Sequence, residues 1–95
     1  MTRDMWIDFH RVDERGLTLG ARRNARPGLK IREGDYIVVG EEDAGDAVAR
    51  VVKYEPKSGL VRLKVLRGPA SSHPQLLKRI DLTRSRIPRQ SAIPG

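Results

Sequence analysis

Residues 5–12, Met-Trp-Ile-Asp-Phe-His-Arg-Val, alternate between two faces. Met5, Ile7 and Phe9 fall on one, Asp8 and His10 on the other, with Trp6 and Val12 at the ends of the polar face. A period of two with aromatic and β-branched residues predicts a half-buried strand. Asp13-Glu14-Arg15-Gly16 then reads as a tight turn with positive φ at Gly16. Leu17-Thr18-Leu19 reads as a short returning strand, so residues 5–19 are expected to form a hairpin. Residues 20–30 show no period and contain the turn signal Pro27-Gly28. They are expected to form a loop, long for a small domain.

The next stretch is richer in apolar positions. Gly34-Asp35 marks a turn before the apolar run Tyr36–Val39, which predicts a strand buried on both sides. Gly40–Asp46 is an acidic loop, and Ala47–Glu55 a longer strand. In regular alternation Ala49 and Val51 share one face, and Val48, Val52 and Tyr54 the other. Apolar residues on both faces suit a strand bending between two walls of a barrel. Pro56–Gly59 is a turn. Leu60–Arg67 has the cleanest alternation: Val61, Leu63 and Val65 face in, and Arg62 and Lys64 face out. Gly68-Pro69 ends it. Ser71 or Ser72 is expected to cap a short helix that takes Pro74 into its first turn and runs to Ile80. Residues 81–95 offer too little apolar surface to offset the entropy of ordering them, and predict a flexible basic tail. The division expected is therefore a domain over 1–80 and a tail over 81–95.

Five short strands joined mostly by turns predict an all-β fold, a small antiparallel barrel, which removes exposed sheet edges. Gly34-Asp35 before a strand, Ala47–Val52 after an acidic loop, and the strand following Gly59 and ending at Gly68 together resemble the SH3-like small barrels of translation and transcription factors and some phage proteins. The resemblance spans Leu29–Gly68 and implies a fold, not a function. An OB-type barrel is the alternative, but no helical period separates Tyr36 from Gly68.

Composition narrows the classes. With 95 residues there is room for one core. No apolar run approaches the roughly 20 residues of a spanning helix, and the start of the chain shows no targeting pattern, so no membrane contact and a cytoplasmic setting are expected. The absence of cysteine removes disulfides, thiol catalysis and cysteine-based zinc sites. The net charge of +7 is uneven. Residues 21–34, 57–74 and 75–95 each carry +4, whereas residues 35–56 carry −4.

Candidate chemistry follows the charge. Arg22, Arg23 and Arg26, with Lys30 and Arg32 beyond them, could wrap a phosphate backbone or an acidic protein patch, or form a plain linker. Arg62 and Lys64, flanked by Lys57 and Arg67, could track phosphates or form an ordinary solvated face paired with a neighbour such as Glu55. Trp6 is the aromatic residue best placed for exposure and base stacking. Asp8 and His10 share a strand face but lack a third ligand. Glu41, Glu42, Asp43 and Asp46 lack calcium-loop spacing and read as a solvated loop or a partner for the arginine loop. No glycine phosphate loop or catalytic triad is present. These features imply a non-catalytic binding module or accessory subunit of a protein or nucleoprotein assembly, without cofactor or metal, as a monomer or weak homodimer. The alternative is direct nucleic-acid binding through Arg22, Arg23, Arg26, Lys30, Arg62, Lys64, Arg67, Trp6 and the tail.

Overall fold

A computed structural model describes residues 3–42 and 44–82. Asp43 and the segment 83–95, with most of the expected tail, lie outside the described residues. Five strands form one curled sheet: β1 (Met5–Trp6), β2 (Thr18–Ala21), β3 (Tyr36–Glu41), β4 (Gly45–Glu55) and β5 (Leu60–Val65), in the spatial order β1-β3-β4-β5-β2. Short 3₁₀ turns occupy Arg22–Asn24 and Ala70–Ser72, and helix α1 covers residues 74–82.

The sheet is mixed, which corrects the antiparallel expectation. β1 runs parallel to β3, pairing Met5 with Val39 and Trp6 with Gly40, while the other three pairings are antiparallel. The expected hairpin over 5–19 does not form as one unit. The Ile7 N–H still donates to the Gly40 carbonyl, but Asp8 then captures the His10 N–H at 2.9 Å with its own carboxylate. That side chain to backbone bond turns the chain out of the sheet. A smaller hairpin survives around Gly16, whose φ is +81°: Val12 bridges Thr18, and the Asp13 N–H donates to the Leu17 carbonyl.

The expected loop over 20–30 is largely structured. Gly20 and Ala21 belong to β2, and after the 3₁₀ turn Ala25 bridges Met5 while the Arg26 N–H donates to the Asp4 carbonyl. This return draws the two ends of the sheet toward each other. Inside the curl, Met5, Ile7, Ile37, Val39, Ala49, Val51, Val61 and Leu63 form the main core. On the outside, α1 and the second 3₁₀ turn cover Val38 and Val48 with Ala70 and Ile80. The expected serine cap is absent. Ser71 and Ser72 lie in the 3₁₀ turn, where the Ser72 hydroxyl donates to Pro69, and the Leu77 N–H of α1 donates instead to the His73 carbonyl.

One polar group lies at the centre of this arrangement. Asp4 is 1% exposed; its carboxylate accepts the Val38 N–H and the Arg26 Nε–H, each at 2.8 Å. Next to it, Arg3 Nε lies 2.7 Å from Asp46 Oδ1, directly over Gly40. Removing the guanidinium from a buried carboxylate is costly. Arg26→Leu is expected to lower stability by about 2–3 kcal/mol, below the fully buried range because Arg26 is partly solvated. A urea midpoint that does not move would refute it. At Gly40 an added Cβ would sit 2.7 Å from the Gly45 carbonyl and closer still to Asp46 Oδ1. Gly40→Ala is therefore expected to cost about 1–3 kcal/mol, measured the same way.

Candidate anion-binding face

The outer face of the sheet divides into rows set by strand register. Alternation places 62 and 64 of β5 outward, because 61 and 63 are fully buried in the core. Their partners on β4 are Lys53, opposite Arg62, and Arg50, opposite Lys64. Tyr36 of β3 lies beyond Arg50 in the same row, and Leu19 of β2 beyond Arg62 in the next. Two adjacent rows thus present Arg50 with Lys64, and Lys53 with Arg62.

A β-bulge creates this block. Between Val51 and Lys53 the β4–β5 register slips by one residue, leaving Val52 extra and 40% exposed. Bulges re-aim the side chains that follow them. Tyr54 therefore joins Ala49 and Val51 on the core side, and Lys53 turns outward. The expected grouping of Tyr54 with Val48 and Val52 on one face is corrected accordingly.

Like charges directly opposite each other on neighbouring strands destabilise a sheet, so compensation is informative. One of the four cations has it among the described residues: Arg62 Nη1 donates to Asp13 Oδ2 at 2.8 Å. Among the described residues, Arg50, Lys53 and Lys64 have no carboxylate within 4.0 Å. Arg79 of α1 places its guanidinium 5.7 Å from the Tyr36 ring centre, a cation–π distance, at the edge of the same face. Lys53 and Arg62 also line a groove of about 310 Å³ together with Arg15, Asp13, Glu14 and Glu55, so carboxylates mix with cations on that side of the block.

The residues singled out by sequence disperse. Arg26 is tied to Asp4 and Arg62 to Asp13, so neither is a free cation. Arg22 donates to the Tyr54 hydroxyl at 2.8 Å. Arg23 is exposed on the first 3₁₀ turn, Lys30 and Lys57 are exposed on loops, and Arg67 is exposed just past β5, its carbonyl 2.8 Å from His73 Nε2. Trp6 is exposed, at 44%, but its row pairs with Gly40, and the helix-covered Val38–Val48 row separates it from the cations. Of those residues only Arg62 and Lys64 share the block. Arg50 and Lys53 do not stand out in the sequence, although their spacing of three, in a strand with period two, is the trace of the bulge. Asp8 and His10 form a local turn, with His10 Nδ1 3.4 Å from Asp8, and no group of three metal-ligating side chains occurs among the described residues. Asp46 pairs with Arg3, not with the arginine loop. No helix among the described residues is long and apolar enough to cross a membrane. Scans against protein-family models, curated proteins and solved structures find no match to the chain.

Asp13 organises the boundary of the block. Its Oδ1 accepts the Arg15 and Leu17 N–H groups, each at 2.9 Å. The Leu17 N–H foremost, then the Arg15 N–H and the Arg62 guanidinium, hold its pKa below the ordinary 3.8, against the opposing effect of desolvation. A group with a depressed folded-state pKa stabilises the fold above its unfolded pKa and loses that contribution as pH falls through the folded value. Wild type should therefore exceed Asp13→Asn in stability by a constant margin at neutral pH. The margin should shrink below pH 3.8. Denaturation series at several pH values check this, and a margin independent of pH would reject it.

Proposed function

We propose that this protein is a non-catalytic binding module, an accessory subunit of a protein or nucleoprotein assembly, that holds a polyanionic partner on the outer face of an SH3-like barrel. The curl of the five-stranded sheet and the Met5–Ala25 bridge between its ends support the barrel reading. The observation that carries the function is the strand register, which sets Arg50 opposite Lys64 and Lys53 opposite Arg62. A sheet that places like charges directly opposite each other forgoes stability that a salt-bridged pair would have given. Such local conflicts are expected where function sets the residue choice. An anionic partner seated there would relieve the repulsion and convert it into binding energy.

The full chain on immobilised heparin, eluted with salt, tests the face against bulk charge. The double variant Arg50→Glu/Lys64→Glu should lose most of its retention. Arg23→Glu/Lys30→Glu, with the same change in net charge, should stay close to wild type. Equal losses from both variants would mean that net charge alone causes retention, and would overturn the assignment of the face.

A further inference from the structure

Resting on that reading, we infer that the partner is the phosphodiester backbone of a nucleic acid, held across Arg50, Lys53 and Lys64, and that Asp13 limits its affinity by occupying Arg62. Three lines of reasoning select this occupant. The first is regularity. Two residues along a strand advance about 6.6 Å and neighbouring strands lie about 4.8 Å apart, so the cations form a small lattice suited to a chain of repeating charges. The second is the sheet's ends. An extended acidic peptide commonly docks by adding a strand to an open edge. Here Ala25 bonds to Met5 of β1 and Arg26 to Asp4 just before it, while on β2 Thr18 bridges Val12 and the Leu19 N–H donates to the Arg11 carbonyl. The third is charge. The whole chain has a pI of about 10.6, the range in which a clustered basic face marks nucleic-acid binding.

Asp13 gives the inference its own signature. Its Oδ2 accepts the Arg62 Nη1–H, and Glu14 and Glu55 border the same groove. A phosphate approaching the block therefore finds three cations without a carboxylate partner among the described residues and a fourth already neutralised. Asp13→Asn removes the competing charge without removing the side chain. It should tighten nucleic-acid binding while lowering stability, and the tightening should depend on the Arg62 guanidinium that it frees.

The test uses the full chain and fluorescently labelled 20-nucleotide probes, read by anisotropy across a salt series: single-stranded DNA, single-stranded RNA and a DNA duplex. Lys53→Gln/Lys64→Gln should reduce the log–log salt slope by about 1.4 on single strands or about 1.8 on duplex. Arg23→Gln/Lys30→Gln should leave that slope unchanged. Asp13→Asn should bind several-fold more tightly and Arg62→Gln no more tightly than wild type. Whichever probe binds best identifies the backbone form. Polyglutamate and anionic phosphatidylglycerol vesicles are the competing ligands. If either binds more tightly than every oligonucleotide, the nucleic-acid assignment is overturned, while loss of heparin retention in the block variant would still uphold the anion-binding face. No salt-dependent anisotropy change with any oligonucleotide would also overturn it.

Discussion

The structure depends on one buried carboxylate. Asp4 joins three parts of the chain that are far apart in sequence: it precedes β1, accepts the Val38 N–H of β3, and accepts the Arg26 guanidinium from the segment after β2. Its own N–H and carbonyl repeat both connections, donating to Val38 O and accepting from Arg26 N. A carboxylate is tolerated at 1% exposure only when charge-assisted hydrogen bonds replace its water. β1 itself has two residues in ladder pairing, too few to hold the N-terminal segment by backbone bonds alone. The arginine segment is thus partly a structural strap, which is why it is not the mobile ligand-binding loop that its composition suggests.

With the ends of the sheet drawn together, the inside of the curl is filled by aliphatic side chains, and the outer face is left to carry the polar chemistry. That face has two uses. Helix α1 covers the Val38–Val48 row and buries it with Ala70 and Ile80. The following rows remain open and hold the cations. The division follows from residue type: small branched apolar side chains in one row receive a helix, whereas long charged ones extend into water while their stems lie along the sheet.

The bulge after Val51 decides which cations meet. In unbroken alternation Lys53 would lie on the same side as Val51 and face the core, and Tyr54 would lie outside. The slip of one residue places an ammonium in solvent and an aromatic ring against apolar neighbours, so burial energy supports the irregularity. The Tyr54 hydroxyl still receives the Arg22 Nη1–H, so its polar end is satisfied as well.

Much of the strand content was legible in the sequence, because the apolar run of β3 and the alternation in the first half of β4 and in β5 are dictated by which side chains can be buried. The Gly16 turn was legible from the positive φ it needs, and the short helix containing Pro74 was legible although the serine cap expected for it does not form. Neighbour relations across the sheet were not. The parallel β1–β3 pairing, the strap from Ala25 to Met5 and the pairing of Asp4 with Arg26 all join residues twenty or more positions apart, and no local pattern encodes such distances. The cationic block lay between these limits. Arg62 and Lys64 could be read from one strand, whereas Arg50 and Lys53 became their partners only through register and a bulge. Sequence alone fixed which side chains must avoid water; tertiary structure decided which charges had to face each other, because repulsion and pairing depend on separation in space.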